Sequence, residues 1–419
     1  MADRVQIDRR VVLGLLFLMS AMNAVVLFVP WQEIAAGKND FPPFYASAQM
    51  IREGQASRMY DFDIENSFLR RISDVERPPN NHLPYENLIF VPLTYFRFPV
   101  AHALWTLLSV GMLAGVGLLI GDLRPGASRF GSTFLTILAF FPVWYCLLQG
   151  QDSILLLFLY SLSFWLWRRG RVDMAGFVLA MGLFRPQLVL PFVLVVFLAG
   201  KWKFVRGFIP GAVLAVGVST FVVSLHGMAE FTRILISQGT QGSASALGKQ
   251  WHIWPQLMPT WRGLLWIALP ARAVGRVENS VLLLGIFAGL LWAAKRMRSA
   301  REGTSFDLAF ASAVAVVALV SFHSYLHDFS LMALPLLIVG GIVASSTRVP
   351  EKYAYSIVTF GFLFFLTPIY LVLLVTGKIG LLVLPSVATL WLMSQWGTRV
   401  VPSLQCEREP TETAALRTA

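Results

Sequence analysis

Charge is what this 419-residue sequence has least of: only 14% of its residues are Asp, Glu, Lys or Arg, while 56% are apolar. A soluble domain ordinarily carries about 25% charged residues. One globule this poor in charge would leave broad apolar surface in water, which excludes a cytosolic enzyme and leaves lipid as the main solvent. Cysteine is nearly absent too. Cys146, in an apolar run, and Cys406, in a polar tail, make neither a disulfide framework nor a metal-ligand spacing, so redox and zinc chemistry drop out. There is no internal repeat.

What is present is a succession of apolar runs, each closed by a charge cluster, a proline or a glycine. They cover residues 11–29, 99–121, 131–148, 152–167, 174–184, 188–199, 205–225, 278–294, 306–322, 329–346, 353–375 and 379–396. This predicts an all-α polytopic membrane protein with about 12 transmembrane or partly inserted helices. A single membrane domain takes in residues 1–400, and residues 401–419 form a disordered cytoplasmic tail. The first run is longer than a signal-peptide core and reads as an uncleaved anchor.

The 34 Lys+Arg exceed the 23 Asp+Glu by 11 charges. In a soluble chain that excess would point to nucleic acid, but here placement decides. With the N-terminus inside, the clusters Arg168/Arg169/Arg171, Lys201/Lys203/Arg206 and Lys295/Arg296/Arg298/Arg301 all fall in the cytoplasm. The short outer turns keep only Arg185 and Lys378, as the positive-inside rule requires. The excess is topological. Nucleic acid is not an expected partner, and the expectation is a multi-pass protein of the cell membrane with both termini cytoplasmic.

Three runs are too short to cross: 174–184 and 188–199 reach about 17 to 18 Å and 152–167 about 24 Å, against about 30 Å of hydrocarbon. Short helices leave backbone ends at membrane depth, which predicts a cavity opening to the outer face. Two long outer loops interrupt the spans. The first, residues 30–98, concentrates acids including Asp40, Asp61, Glu65 and Glu86, and the face of Phe44, Ala48 and Ile51 after Pro42 and Pro43 fits a helix along the interface. The second, residues 226–277, starts with a Gly/Ser/Gln-rich stretch and turns aromatic at Trp251, Trp254 and Trp261, the composition of a lid.

The chemistry-bearing residues cluster at the predicted outer ends. Asp40, in N-D-F-P-P-F-Y, is either a partly desolvated general base or the residue that starts the following helix. Tyr60 with Asp61, and Tyr85 with Glu86, are sugar-orienting types that also serve in ordinary turns. Gln149-Gly150-Gln151-Asp152 forms a tight turn whose amides can bind hydroxyls or phosphate oxygens, with Asp152 able to cap the next helix. Arg185, between the two shortest runs, is a candidate for phosphate or a cation reaching outward to headgroups. His323 and His327 share a helical face beside Asp328, yet the remaining ligands of a zinc-protease pattern are missing, so no metal site is expected. Trp251 and Trp254 can stack on sugar or isoprenoid, or belong to an interfacial belt.

In order, N-D-F-P-P-F-Y-A-S-A, G-Q-A-S-R-M-Y-D, V-P-L before A-H-A-L-W, Q-G-Q-D, R-G-R-V-D-M-A-G, F-R-P-Q-L and S-Y-L-H-D-F-S resemble glycosyltransferase family 87. The likeness implies a GT-C-type fold and transfer of mannose from a polyprenyl-phosphate lipid co-substrate to a lipid-linked or envelope glycan at the outer face. It implies Asp40 as the base, with Tyr45 on the same helix. Tyr60 and Asp61 match a Tyr-Asp element, Gly150 and Gln151 a Gly-Gln element, and His327 with Asp328 a His-Asp element. Arg185, Pro186 and Gln187 match an element usually written Lys-Pro-Gln. After Tyr85 the family's Pro-Pro is replaced by Glu86 and Asn87.

The expected chemistry asks for one base and a cationic phosphate site, because polyprenyl phosphate is already a good leaving group. Arg185 with His327 and His323 supplies the cations. Tyr85, Gln149, Gln151, Gln187 and Asp328 complete the expected substrate contacts, with membrane lipid and a glycan or glycolipid as partners and no tightly bound cofactor. The rival readings are a transporter or flippase of lipid-linked sugars and a non-catalytic assembly protein. Nearly charge-free spans with polar groups at their ends favour the enzyme.

Overall fold

The computed structural model describes residues 9–75, 80–123, 129–240, 254–269, 276–345, 361 and 363–399. Trp251, the first part of the predicted 353–375 span and the 401–419 tail lie outside them. The described residues contain helices and turns but no strand. The helices are α1 (Arg9–Phe28), α2 (Trp31–Ala35), α3 (Pro42–Arg52), α4 (Phe62–Leu69), α5 (Pro84–Phe90), α6 (Phe98–Asp122), α7 (Arg129–Ala139), α8 (Phe141–Gln149) and α9 (Ser153–Arg168). Then come α10 (Val172–Ala180), α11 (Pro186–Leu198), α12 (Trp202–Thr240), α13 (Trp261–Ala268), α14 (Arg276–Ser299), α15 (Thr304–Val320), α16 (Ala333–Ser345), α17 (Thr367–Val375) and α18 (Val383–Arg399).

Among the described residues, three helices are long and apolar enough to cross a membrane alone: α6, α12 up to Ile236, and α14 from Asn279. A bent pair, α7 with α8, makes a fourth candidate, and several shorter apolar helices fill the bundle. The chain is a helical membrane protein.

The apolar run 131–148 predicts one span, and the structure corrects this to two helices meeting at 70°. Pro142 lacks an N–H to continue the ladder, and Phe140 is extended (φ −88°, ψ 107°). The carbonyls freed at the break find other donors. Asn23 of α1 donates its amide to Leu138 O at 3.3 Å and Ala139 O at 3.2 Å, and Thr367 donates to Asn23 Oδ1 at 2.6 Å. One buried asparagine thus ties α1, the break and α17 together.

Chain direction separates two ends of the bundle. α9 runs from Ser153 to Arg168, and α15 starts beside it, where Arg168 meets Asp307 at 3.3 Å. Arg169 pairs with Asp122 at the end of α6, and Arg206 with Asp173 at 2.9 Å. The basic clusters therefore share one end, and the polar turns at Gln149–Asp152 and Arg185 share the other. Between the ends α10 packs on α12 with backbones almost touching. A Cβ on Gly207 would lie 1.8 Å from Asp173 O, and one on Gly176 2.0 Å from Phe204 O. Gly207→Ala is therefore expected to lower the unfolding free energy by about 3 kcal/mol. Gly217→Ala, with nothing within 4 Å of the new methyl, should leave melting unchanged in detergent, and equal melting of the two variants would refute this account.

The first loop folds as a small helical cap. α3, expected along the membrane interface through Phe44, Ala48 and Ile51, is instead enclosed by protein: Phe44, Tyr45, Ala46, Ser47, Ala48 and Met50 are all buried. The face argument fails because α4, α5 and the 3₁₀ turn Val91–Tyr95 cover the other sides. Behind α3 the fully buried Glu65 accepts the Asn80 N–H at 2.7 Å, while Asn80 donates its amide to Ser47 Oγ at 2.7 Å. Burial pushes the Glu65 carboxyl up to about 8, the Asn80 N–H only partly opposing it. The folded chain thus holds a proton that the unfolded chain releases near the ordinary value of 4.5. This contribution is complete in acid and is lost as pH rises towards 8. Glu65→Gln keeps the acceptor without the proton, so its melting temperature should gain on wild type between pH 5 and pH 8. A constant difference across that range would count against this account.

Candidate active site

A cavity of about 380 Å³ opens where the first loop meets the ends of α8, α11 and the 321–327 segment. Its wall brings together many of the residues singled out in the sequence: Asp40, Gln149, Gln151, Arg185, Gln187, His323, His327 and Trp254 all line it. The short α10 and α11, of 9 and 13 residues, flank the Arg185 turn, as the length argument predicts.

Local sequence explains how the turn is built. α8 ends at Gly150, whose left-handed backbone (φ 65°) closes the helix. A Cβ there would lie 2.7 Å from Phe41 and 3.0 Å from the His102 ring, so glycine is needed for space as well as conformation. The Asp40 N–H donates to Gln149 O at 3.1 Å, locking the Asp40 segment onto this turn.

Gln151 joins the two halves of the site. Its Nε2 donates to Asp40 Oδ2 at 3.1 Å, and its Oε1 accepts from Arg185 Nη2. A guanidinium can only donate, so it fixes the amide with Oε1 towards Arg185 and Nε2 towards Asp40. Glutamate in this place would set a second carboxylate against Asp40.

Arg185 is 6% exposed. Its Nε donates to Asp152 Oδ1 at 2.9 Å and Oδ2 at 3.2 Å, Nη2 donates to Oδ1 as well, and Nη1 stands 3.5 Å from Asp328 Oδ1. Asp328 also accepts the Ser153 hydroxyl at 2.8 Å, and His327 Nε2 lies 3.5 Å from its Oδ2. Asp152, read as a possible helix cap, makes no side-chain cap bond to α9 and gives its carboxylate to Arg185. Sequence reasoning missed this partner because the pairing spans 33 residues.

His82 was missed, and with it the pairing to Glu86, although their separation of one helical turn was a readable signal. His82 Nδ1 lies 2.8 Å from Glu86 Oε2 and 3.7 Å from Asp152 Oδ2. Burial pushes His82 down to about 3, with Arg185 adding to the effect, so the ring is neutral. Burial also lifts the Glu86 carboxyl well above the carboxylate range, with Asp152 reinforcing it. Arg262 and Tyr325 line the same cavity, and Arg262 Nη1 donates to Phe322 O at 3.2 Å.

The expected sugar-binding tyrosines stand outside the cavity wall. Tyr45 donates to Phe96 O at 2.6 Å within an aromatic cluster, and Tyr60 donates to His82 O at 2.7 Å. Tyr85 donates to Met181 O at 2.8 Å and accepts the Phe184 N–H at 3.0 Å, which docks α5 onto the break before Arg185. Asp61 pairs with Arg58 at 2.7 Å on the exposed cap. Asp328 lies behind Arg185. Tyr60 holds the loop carrying His82, and Tyr85 and Asp328 hold the turn carrying Arg185.

A neutral His82, an enclosed guanidinium and a carboxylate oriented by an amide, all around one recess, suit recognition of an anionic group beside a hydroxyl that must lose a proton. No curated protein and no solved structure matches the chain. The sequence model of glycosyltransferase family 87 matches residues 84–322, more than half of the chain, including the Gln149–Asp152 turn and Arg185. The chain belongs to glycosyltransferase family 87 and is a membrane glycosyltransferase.

Proposed function

We propose that the protein transfers a sugar, mannose by its family likeness, from a polyprenyl-phosphate donor to a hydroxyl of a lipid-linked or cell-envelope glycan. Asp40 takes the proton from the acceptor hydroxyl as its oxygen bonds to the anomeric carbon. The bond from that carbon to the phosphate oxygen breaks, and the electron pair leaves with the polyprenyl phosphate. One observation carries this reading: Asp40 and Arg185 face one cavity and are joined by the Gln151 amide.

Because Asp152 and Asp328 offset much of the Arg185 charge, the phosphate needs further cationic help. Arg262, which lines the same cavity, supplies it with His323 and His327 as hydrogen-bond partners. Gln149 and Gln187 contact hydroxyls, and Trp254, on the rim, stacks on sugar or isoprenoid. The basic clusters at the far end of the bundle support an active site on the outer face of the cell membrane, with the short helices α10 and α11 bordering lateral entry of the donor lipid.

The test is direct: the purified chain in proteoliposomes, given a panel of radiolabelled polyprenyl-phosphate sugars and a glycolipid acceptor, should form labelled glycolipid from the mannose donor. Folded protein that transfers no sugar from any donor, yet moves lipid-linked sugar across the bilayer, would establish the flippase instead.

A further inference from the structure

We infer that His82, Glu86 and Asp152 form a binding site for one divalent cation of the Mn²⁺ or Zn²⁺ kind, where Asp152 faces His82. His82 Nδ1 lies 2.8 Å from Glu86 Oε2 and 3.7 Å from Asp152 Oδ2, and one ligand atom from each of the three falls within 4.8 Å of the others. Ligands about 2.1 Å from a common ion stand about 3 to 3.4 Å apart, so side-chain shifts of a few tenths of an ångström to about 1 Å complete the set. One imidazole nitrogen with two carboxylate oxygens suits Zn²⁺ or Mn²⁺ better than Mg²⁺, which prefers oxygen and water.

Two independent observations point to a cation at this place. Glu86 is fully enclosed, and its second oxygen, Oε1, receives no hydrogen bond among the described residues, a costly arrangement for an acceptor kept from water. The charge count agrees. With the Glu86 proton displaced by the ion, Glu86, Asp152 and Asp328 are three buried carboxylates around the guanidinium of Arg185, and a divalent ion balances their two excess negative charges. Arg185 takes its closest contacts from Asp152 Oδ1, while Oδ2 has one longer bond from Arg185 Nε at 3.2 Å and faces His82 Nδ1 at 3.7 Å. Access is from the cavity, whose wall includes His82 and Asn81.

The site stands on its own residues and does not depend on which sugar, if any, is transferred. Chelator-stripped, purified protein equilibrated with Mn²⁺ alone and with Zn²⁺ alone, then desalted, should retain about one ion per chain by elemental analysis. Mn²⁺ titration followed by electron paramagnetic resonance should give at least about 10-fold weaker binding for Glu86→Gln and for His82→Gln. Asp61→Asn, remote on the exposed cap, should bind like wild type. Asp152 is left unchanged because removing it strands Arg185. Wild type that retains neither ion, or retains one with the same affinity as folded Glu86→Gln, would overturn the site. Metal binding without sugar transfer would refute the proposed function and leave the site standing, and full transfer by metal-free protein that binds no ion would do the reverse.

Discussion

Asp40→Asn is expected to lower the turnover of sugar transfer about 100- to 10 000-fold, the range that one positioned base contributes. The substitution is nearly isosteric. Asn Oδ1 can still accept from Gln151 Nε2, the backbone bond from residue 40 to Gln149 O is untouched, and donor binding around Arg185 and Arg262 stays intact. Only the capacity to take a proton is lost, so the fall should appear in kcat while the donor KM hardly moves. Steady-state kinetics in proteoliposomes, with melting measured alongside, check this. Full activity in Asp40→Asn would remove Asp40 from the chemistry.

Arg185→Ala has the larger expected effect on stability. It leaves the carboxylates of Asp152 and Asp328, both buried, facing each other without a guanidinium. Breaking a buried pair from one side costs about 3 to 5 kcal/mol, enough to unfold much of the population of a marginal domain. Arg185→Lys, the residue usual at this place in the family pattern, keeps the charge but cannot fork across Asp152 and Gln151 together. It should melt between wild type and Arg185→Ala. Because Gln151 then loses the donor that orients it, transfer should fall as well. Arg185→Ala with wild-type melting would show that the buried ion pair does not hold the turn.

The sequence made the cavity wall more readable than the scaffold behind it. Asp40, Gln151, Arg185 and the two histidines stand out because ionisable or amide side chains interrupt apolar runs, and lipid tolerates them there only with a purpose. Helix lengths on either side of Arg185 were likewise legible, being set by where prolines and charges fall. Pairings at long range were not. Nothing near Asp152 reveals that its partner lies beyond two further helices, and the Asn23 side-chain amide that catches the freed carbonyls of the Phe140 break sits more than a hundred residues away. Tyr45, Tyr60 and Tyr85 have the residue type of sugar contacts, but their hydroxyls bond backbone carbonyls, an outcome that depends on how α3 and α5 pack. Arg262 was hidden in a stretch whose composition suggested a lid.

That Arg185 pairs with a residue preceding it in the chain, Asp152, bears on how the chain is made. A bare guanidinium entering a bilayer is costly, and chains insert and fold from the N-terminal side as they are synthesised. When Arg185 emerges, Asp152, Gln151 and the α5 segment carrying Tyr85 are already complete, whereas Asp328 and His327 lie more than a hundred residues downstream. The cationic wall can therefore be neutralised within the first half of the polypeptide. The later helices then close over a turn that is already electrically settled, so a ribosome-arrested chain ending before Asp328 should already carry the Arg185 to Asp152 contact.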